Sequence, residues 1–596
     1  MSPLAEYQAR LQERRRVFDR LERRFRRIGN ARLGAGIAAV VVAFLVFGEV
    51  WIAVWWLLLP IAVFGALIAV HARVVERLER SQRAIQFYER GVARLEDRWK
   101  GTGETGERYR DPKHLYSEDL DLFGSGSLFE LLSVARTRAG EDFLARWLLA
   151  PASTEEVAVR HEAVRELSGR LDLREDLAVL GATVRSGLDP EAAAAWGKAP
   201  EVRFPAGASY IAPLFGAAMV ISFALYMGGV LTRTPFLIVL LLEMAYAFFI
   251  VGAPTQQVSH AAESPARDLL LLAELLRRLE RETFQAPLLR ELQARLRTGN
   301  EPQASDHIAH LGRLGERLDW TENLIFGPIA FALLWTAQVA MAIERWRGAW
   351  GGRIGEWIDT AGEFEALCSL AGYAFERPAD VFPELTGASG GCFEAQALAH
   401  PLIQDSEAVP NDVQLGGETR LWIVSGSNMS GKSTLLRTIG INAVLAWAGA
   451  PARAARLKIS PMNLGASIRV QDSLQDGRSR FYAEITRLRE IVGLAGGARP
   501  VLFLLDELLS GTNSHDRKIG AAAIVQALIG RGAIGLITTH DLALAHIAET
   551  LPGRAVNVHF ADTLQDGELR FDYRLQPGVV ERSNALDLMR SVGLEV

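Results

Sequence analysis

Two long apolar blocks divide this chain, and around them the apolar positions recur with the spacing of helices. Residues 33–70 are almost all apolar. A run of nearly 40 residues is enough for two membrane passes of about 20 each. It predicts a helical hairpin, about 33–48 and 52–70, with Gly48-Glu49 at the turn and Trp51, Trp55 and Trp56 at the interface. A second block, 209–251, is split by Thr232-Arg233-Thr234-Pro235. It predicts a second hairpin, about 209–231 and 235–251, with Arg233 in the turn. Glu243 is the one ionisable residue well inside a span. Such residues are often functional, but this one could equally face other helices or be protonated.

The flanking charge sets an orientation. Residues 1–32 read as an arginine-rich helix, with Arg14-Arg15-Arg16, Arg23-Arg24, Arg26-Arg27 and Arg32. His71-Ala72-Arg73, Arg77 and Arg80 follow the first block, so both of its ends are expected in the cytoplasm. A cleavable signal peptide does not fit, because its apolar region is short and ends at a small-residue cleavage site. Residues 74–110 are again charged and helical, ending in a polar linker at 101–106. The segments 127–132, 137–140 and 144–151 continue in phase through Val157, His161, Val164 and Leu167. They read as an amphipathic α-helical domain. Residues 256–320 read as long charged helices, and a third apolar run at 324–343 contains Pro328 and Gln338. From about 386, short apolar strands alternate with helices.

A length of 596 residues implies several domains. The net charge of −5 does not mark a nucleic-acid binder, although a basic patch fits inside a balanced total. Cys368 and Cys392 are the only cysteines. That excludes a disulfide scaffold and a Cys-rich zinc site, so no metal cluster is expected and a reducing compartment fits.

The candidate chemistry lies in the last third. Gly426-Ser427-Asn428-Met429-Ser430-Gly431-Lys432-Ser433-Thr434 fits G-x-x-x-x-G-K-[ST], with an apolar strand at 421–424 before it and helix turns at 435–439 after it. Strand, glycine loop and helix aim backbone N–H groups at phosphates, and Lys432 then reaches the β/γ oxygens of ATP. The plain alternative, a glycine-rich turn, does not require both flanks. Residues 501–507 form an apolar strand ending in Asp506-Glu507. Asp506 is placed to hold Mg²⁺ with Ser433, and Glu507 to orient and deprotonate the attacking water. Another apolar strand, 533–540, ends in His540, which can donate to the γ-phosphate. An odd number of membrane crossings would part this site from the arginine-rich N-terminus. The run at 324–343 is therefore expected to be a buried helix.

Together these motifs resemble the MutS family of DNA mismatch-repair ATPases. The Asn428-Met429 pair within the loop is usual there. Asp506-Glu507-Leu508-Leu509-Ser510-Gly511-Thr512-Asn513 resembles its acid pair followed by R-G-T-[ST], Thr539-His540 its T-H switch, and Gly477-Arg478-Ser479-Arg480-Phe481 its G-R-S-T-F. Ala399-His400-Pro401, Pro410-Asn411-Asp412 and Arg574-Leu575-Gln576-Pro577-Gly578 with Ser583 resemble its lead-in and closing segments. The matches span about 398–596, with a weaker one over 127–167 that is similar to the family's helical core. The resemblance implies an ABC-type ATPase acting as a homodimer with two composite sites. Each site is completed by a signature serine of the partner chain, here Ser479, whose plain alternative is a helix N-cap. Leu509-Ser510-Gly511 imitates the transporter L-S-G-G-Q signature but follows the acid pair instead of preceding it. The chain also departs from the family. No F-x-E mismatch reader is found in a soluble domain ahead of the core, Arg480 replaces the Thr of G-R-S-T, and the hairpins match a membrane-associated MutS-like branch.

The expected fold is an α/β P-loop (ABC-type) ATPase domain C-terminal to an all-α core and lever region, with two transmembrane helical hairpins. Its expected parts are a basic cytoplasmic helix (1–32), hairpin one (33–73), a charged helix and linker (74–110) and a MutS-like helical core (111–200). Hairpin two (201–255), lever-like helices (256–385) and the ATPase domain (386–596) follow. The expected function is a multi-pass inner-membrane ATPase, its ATPase domain in the cytoplasm, that uses ATP and Mg²⁺ in a homodimer to move helical arms. DNA is the expected cargo, held by backbone charge and shape. The alternative is a membrane-organising or partner-remodelling ATPase that does not bind DNA. A transporter is the weakest reading, with short spans and one intramembrane acid.

Overall fold

A computed structural model of the protein describes residues 2–580, apart from 49–52, 298–302, 323–325, 388–389, 428, 470–479, 511 and 566–567. The first helix, α1 (Pro3–Gly48), runs unbroken from the arginine-rich segment into the first apolar block. At about 1.5 Å per residue its 46 residues extend about 69 Å. After a 3₁₀ turn at Val54–Leu57, α2 (Leu58–Leu95) returns antiparallel. Side chains fix the register: Ser81 Oγ donates to the Arg14 carbonyl (3.4 Å), the Phe25 ring lies 4.7 Å from His71, and the Arg32 guanidinium sits 5.8 Å from the Phe64 ring. Arg32 is level with Phe64, six residues short of the expected end of the returning arm at 70, and the described part of that arm opens with the turn at Val54; Glu49, Trp51 and the expected start at 52 lie outside the described residues. Beyond that level Leu33, Val40, Phe44 and Phe47 are 68%, 70%, 71% and 73% exposed, an apolar surface that soluble monomers rarely present. At the other end, Tyr7 is buried and its hydroxyl donates to Glu376 (3.1 Å), which also accepts from Arg94 Nε (2.7 Å).

The helical body begins with α3 (Leu128–Leu132), α4 (Arg138–Leu149), α5 (Thr154–Ser168), α6 (Leu171–Gly187) and α7 (Pro190–Lys198). Ser127, Thr137 and Ser153 accept backbone N–H groups at the starts of α3, α4 and α5, and Ser153 completes a capping box with Glu156. The polar stretch at 101–106 is packed into this body. Gly103 N–H donates to Glu130 (2.8 Å), and a Cβ on Gly106 would lie 2.7 Å from the Phe129 ring.

The second apolar block forms α8 (Ala208–Met227) and α9 (Arg233–Phe249), with Arg233 opening α9 instead of lying in the turn. From α9 the chain bends by 59° into α10 (Gly252–Glu280). Glu243 is wholly buried and neither carboxylate oxygen has a hydrogen-bond partner. By length and composition α1, α2 and α8 could each cross a membrane, and a fourth span results if the bent α9–α10 pair counts as one.

Next come α11 (Pro287–Arg295) and α12 (Ala304–Asp319). The apolar run expected as one buried helix is two helices, α13 (Gly327–Ala332) and α14 (Trp335–Trp350). They part at Leu334, which adopts φ +49°, and Gln338 Nε2 donates to the freed Leu333 carbonyl (2.7 Å). Pro328 occupies the first turn of α13, where its missing N–H costs nothing. Ile329 and Phe331 stay exposed while Ala340 and Ile343 are buried. Last of this set, α15 (Ile354–Glu376) packs on α4 and α5, so the segments expected as core and lever share one interior.

Two sheets follow. The smaller has the order β1 (Glu384–Leu385), β5 (Arg456–Ile459), β2 (Cys392–Leu398), β3 (Asn411–Gly416). The larger has the order β10 (Glu568–Pro577), β9 (Ala555–Gln565), β4 (Leu421–Ser425), β8 (Ile534–Thr539), β7 (Val501–Leu505), β6 (Asn463–Ser467), parallel except for β10. Strands β4, β7 and β8 are buried throughout, as a parallel sheet covered on both faces requires. Their alternate residues serve two cores. Trp422, Val424, Leu502 and Leu504 join the core shared with α16 (Lys432–Ala448) and the helical body. Leu421, Ile423 and Phe503 join the core with α17 (Arg480–Leu494) and α18 (Ser514–Gly530). The first of these cores is continuous from Trp99 to Phe560.

Candidate nucleotide-binding site

The C-terminal ends of β4, β8 and β7 lie side by side, and each delivers a polar residue to one cleft. Strand β4 ends at Ser425 and the glycine loop leads into α16, whose first residue is Lys432. Gly431 has φ +102°, and a Cβ there would lie 3.1 Å from Tyr573 Cδ1, so glycine is required. Ser427 Oγ and Ser430 Oγ are buried without a hydrogen-bond partner. Lys432 Nζ donates to the carbonyls of Gly426 (2.9 Å) and Ser427 (2.7 Å). Its ammonium therefore rests on the loop's own oxygens. Burial pushes its pKa below the usual lysine value, and Glu507 and Asp506 oppose that shift.

Strand β7 hands over to Asp506 and Glu507. Ser433 Oγ donates to Asp506 Oδ2 (2.6 Å), which brings the hydroxyl and carboxylate expected on Mg²⁺ into contact. Strand β8, between β4 and β7, ends beside His540, whose Nδ1 lies 3.5 Å from Glu507 Oε1. The structure thus brings Lys432, Ser433, Asp506, Glu507 and His540 to one place. Met429 is exposed with φ +70°, and Thr434 lines the cleft in the first turn of α16. Asn428, Ser479, Gly511 and Ser583 lie outside the described residues.

The cleft holds about 900 Å³ and extends from Lys432 and Ser433 to Leu398, His400, Asn411, Phe560 and Tyr573. Burial, with Arg437 and Arg453 nearby, pushes the His400 imidazole down to about 4, so it is neutral. Asn411 Nδ2 donates to the Tyr573 carbonyl (3.0 Å), and Leu575 N–H donates to Asn411 Oδ1 (2.8 Å). This set suits a nucleoside triphosphate with a divalent cation. It offers unpartnered hydroxyls and a helix start for phosphate, an ammonium, a Ser–Asp pair for the metal, and a half-apolar recess for a base.

Two contributors carry no mark in the sequence. Thr538, wholly buried in β8, accepts the Glu507 N–H (2.9 Å) and donates to Asp506 Oδ1. It thereby fixes both acids, and Glu507 needs it, because φ +46° is costly for a residue with a side chain. Tyr573, with φ +53°, is set by the β9–β10 register shift between Phe571 and Leu575. A threonine in an apolar strand and a tyrosine in an edge strand are ordinary in sequence, so only the strand order exposes their positions.

Comparison with known proteins agrees with this geometry. Residues 422–595 match the family described as MutS domain V. DNA mismatch repair protein MutS of Roseiflexus sp. strain RS-1 is 35% identical over 204 residues, 33% of this chain and 18% of the relative. DNA mismatch repair protein MutS 2 of Halobacterium salinarum is 34% identical over 238 residues, 39% of this chain and 26% of the relative. Endonuclease MutS2 of Thermus thermophilus is 34% identical over 215 residues, 35% of this chain and 27% of the relative. The chain thus spans less than a third of the length of these relatives.

Proposed function

We propose that this protein, whose residues 422–595 match MutS domain V, is a membrane-anchored, homodimeric P-loop ATPase of ABC type. In this reading it grips DNA by backbone charge and shape. The observation that carries the ATPase is the meeting of Lys432, Ser433, Asp506, Glu507 and His540 at the ends of three adjacent parallel strands. The outward-facing apolar hairpins, flanked by arginines, support an inner-membrane anchor with the ATPase domain in the cytoplasm.

Bound Mg²⁺·ATP supplies the phosphoanhydride bond and the metal charge that offsets the phosphates. Backbone N–H groups of the glycine loop bind phosphate oxygens, and Lys432 leaves the Gly426 and Ser427 carbonyls to do the same. Ser433 and Asp506, already in contact at 2.6 Å, would hold the metal. Glu507 takes the proton of the attacking water, and His540 donates to the γ-phosphate side of the cleft. Ser479 of the partner copy closes the site. Glu507→Gln should bind ATP, slow hydrolysis at least a hundredfold and trap the dimer, whereas Lys432→Ala should lose nucleotide affinity. Wild-type turnover in Glu507→Gln would refute the assignment of the base.

A second reading has its own support. Both hairpins, together with Ile329 and Phe331, expose large apolar side chains of the kind a membrane partner covers. In that reading the ATPase remodels membrane or protein and does not bind DNA. Titrating duplex and branched DNA at several salt concentrations, with and without ATP, separates the two. Absence of binding even at low salt removes DNA from the account.

A further inference from the structure

Away from the nucleotide cleft, a groove of about 720 Å³ runs between the stalk helices α1 and α2 and the body helices α6 and α10. Val17, Leu21 and Val179 contribute to an apolar floor, and arginines from three helices surround it. Three acids also line it, and each is already held by one of those arginines. Glu175 pairs with Arg14 (2.7 Å), Asp176 with Arg278 (2.7 Å) and Glu274 with Arg80 (2.6 Å). Three arginines are left over. Among the described residues, Arg77, Arg277 and Arg281 have no carboxylate within 4.0 Å. The lining thus carries six arginines against three carboxylates, with the buried Glu280 near Arg277, and an anion in the groove offsets the remaining excess of positive charge.

We propose that this groove binds a phosphate-bearing anion, held by Arg77 of α2, by Arg277 of α10 and by Arg281 at the C-cap of α10, over the apolar floor. The forked guanidinium matches phosphate oxygens in geometry as well as charge. The phosphate has two available sources. Arg77 lies seven residues beyond Val70, the last residue of the apolar block, and thirteen beyond Phe64, which is level with Arg32, hence about 10–20 Å along α2 from the membrane edge. Its side chain reaches back along part of that span toward the headgroup layer, where an anionic lipid offers its phosphate. The groove is equally open to a free phosphorylated solute. Helix α2 leaves one hairpin and α10 follows the other, so either ligand ties together two elements that Arg80 and Glu274 already join.

The test uses the full chain in detergent. Retention of phosphatidylglycerol against phosphatidylcholine is read by native mass spectrometry. Inorganic pyrophosphate is titrated in a Lys432→Ala background, which removes the phosphate loop's own contribution. The proposal expects at least a tenfold preference for phosphatidylglycerol, or saturable pyrophosphate binding, and loss of that signal in R77A/R277A/R281A. The control R16A/R20A/R24A removes the same charge from exposed positions outside the groove and should keep the signal. Binding of phosphatidylglycerol alone identifies the headgroup, and binding of pyrophosphate alone identifies a free solute. Equal behaviour of the two triple variants, or no signal in the unmutated groove, overturns the proposal. If the alanine triple does not fold, R77K/R277K/R281K keeps the charge and loses the fork, and unchanged binding there also overturns it. The lipid arm rests on the membrane anchoring proposed above, which topology labelling decides separately; the pyrophosphate arm does not.

Discussion

Replacing Thr538 by valine tests whether the acid pair is held in place by β8. Valine keeps the shape and removes one hydroxyl. That hydroxyl accepts the Glu507 N–H at 2.9 Å and donates to Asp506 Oδ1, inside a strand with no solvent access at this position. A hydrogen bond to a charged group contributes about 1.5–3 kcal/mol, and an orphaned buried N–H costs about 1–3 kcal/mol. The left-handed Glu507 backbone, at φ +46°, stores a further 1–3 kcal/mol or so that nothing then opposes. The expected stability loss is about 2–4 kcal/mol, read as a lower melting temperature. Turnover should fall further than folding explains, because Glu507 is released from its position. A loss of about 1.4–3 kcal/mol in the transition state corresponds to a kcat lower by roughly ten- to a hundredfold. KM for ATP should change less than kcat, since Lys432 and Gly431 are untouched and Asp506 keeps its contact with Ser433. The assay is Mg²⁺-dependent phosphate release at a temperature where the variant is folded, with T538S as the variant that restores the hydroxyl. A T538V enzyme with kcat within twofold of the parent would show that β8 does not position the acids.

Other outcomes follow from the same contacts. Burial raises Glu365 from 4.5 to about 7 despite hydrogen bonds from Thr137. The folded protein then holds a proton that the unfolded chain releases. Stability should be greatest below pH 4.5 for this group and should fall as pH rises to about 7, by on the order of 3 kcal/mol in total; E365Q should flatten melting temperature against pH in that window. Gly440 faces Leu120, and a Cβ there would lie 2.6 Å from Leu120 Cδ2 and 2.9 Å from Leu504 Cδ1. G440V should destabilise by about 1–3 kcal/mol in a denaturant melt. Both native cysteines are buried, so a single introduced thiol reports topology. In intact cells, A53C at the tip of the first hairpin should react with an impermeant maleimide and Q12C should not; the reverse pattern would remove the membrane orientation.

Motifs with fixed spacing made the nucleotide cleft legible, because a phosphate loop, an acid pair and a terminal histidine each occupy the end of an apolar strand. What the sequence did not carry was the order of those strands. Placing β8 between β4 and β7 is what gives Thr538 two acids to hold, and no periodicity encodes that order. The apolar blocks were equally plain as helices, but not their register. A run of apolar residues is uniform along its length, and the level of Arg32 on α2 is set by contacts between distant residues, Ser81 with Arg14, Phe25 with His71 and Arg32 with Phe64. The break in the run at 324–343 escaped for a similar reason. Leu333 and Leu334 are good helix formers, and their departure is sustained by the Gln338 side chain and by the close approach of the Leu333 backbone to Gly216, where a Cβ would lie 3.3 Å away.

How the expected helical arms move depends on the contacts that join them to the ATPase domain. Asp119, before α3, accepts the N–H groups of Ile468 and Arg469 at 2.7 Å each, and its carbonyl accepts from Arg437 of α16 at 3.1 Å. Arg453 donates to the carbonyls of His400 (2.7 Å) and Ile403 (2.6 Å) in the cleft wall and pairs with Asp405, which Arg377 also reaches at 3.4 Å from the end of α15. Next to Arg377 is Glu376, which receives Tyr7 and Arg94 from the two stalk helices. A continuous core joins these contacts from Trp99 to Phe560. Such an interior repacks in discrete steps and does not bend smoothly. If two copies close over nucleotide, each should therefore turn as a body and carry its stalk with it. The 46 residues of α1 extend about 69 Å, so a turn of about 10° would displace the tip of the first hairpin by roughly 12 Å. That displacement can be measured as the distance between spin labels at position 53 of the two copies, with and without ATP. An unchanged distance in a dimer that has closed at the nucleotide sites would require a hinge within the shared core.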